Sequence, residues 1–277
     1  MRTRHWMAGW ILTLASHVAL ASPPDPYSEA ATQIATHAAD HRLLVLGELH
    51  GTRETPLLVR ALLEHYVAQG VPVRLALELP VAENAALETY ITSTGDAAAG
   101  RALRTTNYWK VKDHLHDGRR SEDMLDLIEA VRRLRAEGHD ITVAGFDRTP
   151  NPADDAPGTR DANMAKELRD RYAELPAHGR LLVLTGNMHG MRSPPERLGH
   201  LTVTALLKDQ PLYNVRIEAR GGEFWGCRGD RRCGALPLIN YTGVSPRTYT
   251  GEDRDYDLWI FLPRFTVARL LDATPAP

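Results

Sequence analysis

Two short segments of this 277-residue chain share one pattern. Gly47-Glu48-Leu49-His50 and Gly186-Asn187-Met188-His189 each follow an apolar run, and each ends against a further glycine, Gly51 and Gly190. Imidazole has an ordinary pKa near neutrality, so paired histidines can exchange protons with water or substrate, or ligate a metal. Carboxylates stand in equivalent places: Glu48 inside the first motif, Glu78 after residues 73–77, and Asp147 after residues 141–144. Two imidazoles with one or two carboxylates and an open position suit a divalent Zn, Mn, Co or Fe ion, which would lower the pKa of bound water to about 7. On this reading His50 and His189 are ligands and Glu48 or Asp147 completes the shell. Glu78 is then the general base, a part it can also play without metal. Arg160 would hold an anionic group or a developing oxyanion, Asn187 lies where it can bind substrate, and Asp161 is expected to cap the helix it opens. Singly, each residue also has an ordinary reading as a cap, an ion-pair partner or a hydrogen-bonded core histidine. The motif occurring twice in matched context favours chemistry.

Four separate stretches must converge to make such a site. Residues 42–46, 73–77, 141–144 and 181–184 are near-continuous apolar runs of strand length, each ending in a polar cluster. Strands buried on both faces of a parallel sheet have this composition. Helical periodicity lies between them at 56–69, 122–137 and 161–175, with Leu125, Ile128, Val131 and Leu134 on one face of the second. The alternation predicts an α/β fold with a mainly parallel sheet and helices on both faces. Ligands of such sheets bind beyond the carboxyl ends of the strands, where all the residues named above fall. Residues 201–206, 214–219 and 256–261 are expected as further strands, and 85–120 as a small helical insertion or lid.

Composition narrows the function classes. Hydrophobic residues make up 43% and charged residues 25%, as in a globular domain rather than a disordered chain or a membrane bundle. The 33 Lys and Arg balance 35 Asp and Glu for a formal net charge of −2, so no nucleic-acid partner is expected. Residues 1–21 are laid out as a signal peptide, with Arg2, Arg4 and His5 before the apolar stretch Trp6–Ala15 and Ala19-Leu20-Ala21 as a small-x-small cleavage site. Residues 22–277 are then a single domain, exported to the periplasm or secreted, with no membrane span after cleavage. In an oxidising compartment Cys227 and Cys233 are expected to pair. His114 and His116 are expected in a solvent-exposed loop, Tyr108 and Trp109 in the core or a lid, and Asn240-Tyr241-Thr242 is a glycosylation sequon. No GxSxG elbow or phosphate-binding glycine loop occurs.

The run Gly47-Glu48-Leu49-His50-Gly51-Thr52-Arg53-Glu54 resembles the signature of the erythromycin-esterase/ChaN/Tiki superfamily. The paired GxxH motifs are similar to those of its Tiki and TraB-like branch. Leu77-Glu78 matches the family's acidic residue on the next strand, and Arg160-Asp161-x-Asn163-Met164-Ala165 resembles a ChaN-like segment. The likeness covers most of residues 42–192. Erythromycin esterases use Glu and His to activate water, Tiki-like proteins are metal-dependent proteases, and ChaN is a haem-binding lipoprotein. Together with the paired histidines and acids, the resemblance implies a hydrolase, metal-dependent, acting on an ester or on an amide or peptide bond of a small-molecule or peptide substrate, and the signal-peptide pattern makes it exported. The alternative is a haem- or iron-binding protein of the ChaN type, with a His as axial ligand and Tyr108 and Trp109 flanking the ring. Glu48, Glu78, Asp147 and Asp161 are more acids than one porphyrin needs, which favours the enzyme. The chain lacks the lipid-modified Cys of ChaN, and Glu48 and His50 stand two apart where the esterases have three.

Overall fold

The computed structural model describes residues 25–148, 156–228, 232–238, 247–248 and 255–272. The expected signal peptide and the sequon at 240–242 lie outside the described residues. In chain order the first half comprises α1 (Pro26–His37), β1 (Leu43–Glu48), α2 (Glu54–Val67), β2 (Val73–Pro80), α3 (Asn84–Ile91), α4 (Ala97–Arg104), α5 (Glu122–Ala136) and β3 (Ile141–Asp147). The second half continues with α6 (Thr159–Ala173), β4 (Arg180–Gly186), α7 (Asn187–Gly190), α8 (Val203–Leu206), β5 (Leu212–Ala219), β6 (Glu223–Cys227), β7 (Cys233–Pro237), β8 (Arg247–Thr248) and β9 (Leu258–Leu262).

Seven strands form one sheet in the order β3-β2-β4-β1-β5-β9-β8, while β6 and β7 form a separate antiparallel hairpin. All neighbours from β3 to β9 are parallel, and only β8 joins antiparallel. The apolar runs are explained by what each strand face meets. In β1, Leu44 and Leu46 enter a core formed with α1, α2, α3 and α5, whereas Leu43 and Val45 enter a second core with α6 and α8. Helices therefore cover both faces, and each fully buried leucine contributes roughly 1.5–3 kcal/mol. Helix α5 starts where Ser121 accepts the N–H of Met124, with Glu122 and Asp123 in its first turn, an arrangement that satisfies an orphan donor and suits the helix dipole.

One element differs from expectation. Residues 201–206 form no strand. Thr202 accepts the N–H of Ala205 and caps the short helix α8, and the run is apolar because Val203 is buried against α6. The 85–120 segment holds α3, α4 and a 3₁₀ turn at Asp113–Leu115. Tyr108 and Trp109 are buried in the first core, so they do not present a surface to a haem. His114 is exposed as expected, but His116 is buried, its Nδ1 accepting the N–H of Gly118. Among the described residues no helix is long and apolar enough to cross a membrane.

Strand order decides where the chemistry gathers. Because β4 inserts between β1 and β2, the two GxxH motifs leave adjacent strands, with Glu48 paired in register with Gly186. The crevice beyond these carboxyl ends is the switch point at which such sheets bind ligands.

Candidate active site

Each histidine stands on a carboxylate. His50 leaves the end of β1 with Nδ1 3.0 Å from Glu48 Oε1, and Glu48 is buried. His189, in α7, has Nδ1 2.7 Å from Oδ1 of the buried Asp161 in α6. The same Asp161 oxygen accepts the backbone N–H of Val203. Asp161 thus orients an imidazole instead of capping its helix, whose N-cap is Gly158. Both rings turn Nε2 toward one carboxylate: His50 Nε2 lies 3.7 Å from Glu78 Oε2, and His189 Nε2 lies 3.7 Å from Glu78 Oε1. The rings and strands are in close contact here. A Cβ on Gly186 would come within 2.7 Å of His50 Nε2.

Glu78 is the hub of this arrangement. Its Oε1 accepts Arg119 Nη1 and Arg160 Nη2, both at 2.7 Å, and its Oε2 accepts Thr185 Oγ1 at 2.8 Å and Gly186 N at 2.7 Å. Burial alone would raise the Glu78 pKa, but Arg119, His50, His189 and Arg160 hold it well below the usual carboxylate range. With its lone pairs occupied and its basicity lowered, Glu78 is poorly suited to the general-base role expected of it. His50 is better suited. Burial is the largest influence and opposes its charge, yet Glu78, the hydrogen bond to Glu48 and Asp117 together raise the imidazole pKa above its ordinary value. The Glu48 pKa is raised by burial, against the pull of His50.

Arg160 is held by three residues through four hydrogen bonds. Nε and Nη2 bind the two oxygens of Asp147 at 3.1 and 2.8 Å, Nη2 also meets Glu78, and Nη1 lies 3.0 Å from His189 Nε2. A guanidinium only donates, so His189 Nε2 accepts and its proton sits on Nδ1, facing Asp161. These bonds use four of the five N–H groups of Arg160, leaving one on Nη1.

The expected metal-ligand set does not converge. Glu48 is engaged by His50, Asp147 is engaged bidentately by Arg160, and the guanidinium stands at His189 Nε2, where a metal would have to bind. Among the described residues no group of three or more His, Cys, Asp or Glu could hold a metal ion. The cation built into this donor set is Arg160.

Sequence reasoning missed two charged residues of the insertion. Arg119 binds both the side chain and the carbonyl of Glu78. It also bridges to Asp117, whose pKa stays at about 2 despite burial because His50 and Arg119 lie beside it. Asp117-Gly118-Arg119-Arg120 reads as a surface turn, and nothing in its spacing points at β2. Phe224 and Trp225 were missed too. With Glu48, His50, Glu78, Asp117, Arg119, Arg160, Asn187, Met188 and His189 they line a cleft of about 290 Å³. Trp225 donates its backbone N–H to the carbonyl of Gly51 and its indole N–H to that of His116, joining the hairpin to both loops. Cys227 and Cys233 pair across that hairpin, as expected.

No protein-family model and no curated protein matches the chain. Solved structures do. A protein from Bacillus cereus superposes with a TM-score of 0.65 at 10% identity, over 88% of this chain and 93% of that one. A succinoglycan biosynthesis protein gives 0.64 at 11% identity, over 86% and 91%. A mutant of erythromycin esterase EreC in its open conformation gives 0.62 at 11% identity, over 87% and 95%. Identities this low speak to fold alone. The chain has the fold that these structures, an erythromycin esterase among them, share.

Proposed function

We propose that this chain is a hydrolase of ester or amide bonds, acting on a small-molecule or peptide substrate, with His50 as general base. One observation carries the reading: two imidazoles, each with Nδ1 on a buried carboxylate, aim Nε2 into one cleft. Glu48 holds His50 in the tautomer that leaves Nε2 free to take a proton. Nε2 removes that proton from a water molecule whose oxygen attacks the substrate carbonyl carbon. The resulting oxyanion is met by the remaining Nη1–H of Arg160, a donor fixed before reaction. Collapse of the intermediate expels the alcohol or amine, which takes the proton back from His50. His189 and Asp161 hold Arg160 from the far side, Glu78 anchors both guanidinium groups, and Asn187 lines the substrate side. The fold shared with an esterase supports a hydrolase. The disulfide supports export. Because the donor set is filled by Arg160, the reading needs no metal.

The test is turnover of activated esters and of a peptide panel by residues 22–277, before and after dialysis against chelator. Elemental analysis and an absorption scan are made on the same sample. Hydrolysis that survives chelation and falls about 10²- to 10⁴-fold in His50→Ala is the expected result. Turnover unchanged in His50→Ala removes His50 as base. Turnover lost with one equivalent of metal restores the metal-dependent form, and a Soret band with bound iron replaces the hydrolase by a haem-binding protein.

A further inference from the structure

Asp161 has a second oxygen that the mechanism above does not use. Oδ1 is occupied by His189 Nδ1 and Val203 N, while Oδ2 lies 3.4 Å from Nε2 of His200. His200 belongs to the connection between α7 and α8, and its placement has two unusual features. Among the described residues its buried Nδ1 has no hydrogen-bond partner, which carries a desolvation penalty that a purely apolar residue would avoid. Room for the side chain is made by Gly158, where φ is +88° and an added Cβ would approach His200 Cβ to 2.7 Å. The ring is thus retained at a cost, and the polar partner it faces among the described residues is the carboxylate that orients His189.

We propose that His200 is a positioning residue for the second imidazole. Facing Asp161 Oδ2 with Nε2 at 3.4 Å, it holds that carboxylate electrostatically in its plane, so that Oδ1 keeps the proton of His189 on Nδ1. His189 Nε2 then remains an acceptor for Arg160, and Arg160 keeps its free N–H in the cleft. His200 touches neither substrate nor the reacting atoms. The chain of contacts His200–Asp161–His189–Arg160 transmits its effect. The kinetic part rests on the hydrolase reading, whereas the structural part does not.

The experiment compares wild type with His200→Ala and His200→Gln, whose amide can donate to Oδ2. In ¹⁵N-histidine-labelled wild type, His189 should show a downfield Nδ1 proton and an acceptor-type Nε2. His200→Ala should lose or broaden that proton, and His200→Gln should keep it. For ester hydrolysis, kcat should fall between about ten- and a hundredfold in His200→Ala with KM unchanged, and largely recover in His200→Gln. An unaltered His189 proton in a folded His200→Ala overturns the proposal. So does a Gln variant as impaired as the Ala variant with both unfolding at lower temperature, since that marks packing. If wild type hydrolyses nothing, the hydrolase reading fails alone, and the His189 signal still decides the role of His200.

Discussion

At Glu78 a carboxylate is kept ionised inside the protein because two guanidinium groups, a hydroxyl and a backbone N–H all point at it. That predicts the pH behaviour of its neighbour. His50 must be unprotonated to act as base, and Glu78 raises its pKa, so kcat/KM should climb with pH and level off above the ordinary histidine range. In Glu78→Gln the largest charge opposing burial at His50 is gone, and only Glu48 and Asp117 still favour the imidazolium. The midpoint of the pH–rate profile should then move down, and a midpoint that stays put would show that another group titrates. The candidate residues at strand ends were legible because a strand buried on both faces leaves few places for polar side chains, and Glu48, His50, Glu78, Asp147 and His189 all fall there. Their division of labour was not. Whether a carboxylate serves as base, ligand or anchor depends on which arginine reaches it, and Arg119 comes from a turn 41 residues after Glu78 in sequence.

The β6–β7 hairpin supplies an entire wall of the cleft although it belongs to neither core. The Glu223 backbone N–H to the carbonyl of Phe265 anchors it at one end, and Trp225 packs against Gly51, where an added Cβ would come within 2.2 Å of the Trp225 carbonyl oxygen. The Cys227–Cys233 bond closes a loop too short to limit the unfolded chain much, so its effect is local. Reduction, or Cys227→Ser with Cys233→Ser, should leave the thermal midpoint nearly unchanged. Substrate affinity should weaken, with KM rising several-fold and kcat altered little as Trp225 loses its support; an unchanged KM would mean the wall stands without the bond. Elements were legible where periodicity ran long, as in α5 with Leu125, Ile128 and Val131 on the buried face. They were not where the run was short. Residues 201–206 have strand composition, and only the Thr202 cap and the contact with α6 make them helical.

Across the whole molecule, the site spans the region where β1, β2 and β4 end between two cores, so its electrostatics bear on global stability. The Glu78 pKa is lowered on folding. Its contribution is therefore complete above the unfolded carboxyl value of about 4.3 and disappears as pH falls through the lower folded value. Glu78→Gln should cost about 3–5 kcal/mol at neutral pH, because it removes a buried carboxylate and leaves two half-buried guanidinium groups underpaired. The gap to wild type in urea titrations should narrow progressively below pH ~4; a gap independent of pH would mean packing rather than charge is lost. The overall α/β architecture was legible from the alternation of apolar runs and helical periods. The strand order was not, and that order is what sets the motifs side by side. Their proximity has an evolutionary consequence. Gly186 has φ −57° and ψ 142°, backbone angles open to any residue, so glycine stands there to leave space for the His50 ring. Gly186→Ala should be harmful with His50 present and nearly silent after His50→Ala, a non-additivity of about 0.5–3 kcal/mol in a double-mutant cycle. A lineage that lost His50 could then accept a larger residue at position 186. That residue would bar an imidazole from returning to position 50, so the loss would act as a ratchet.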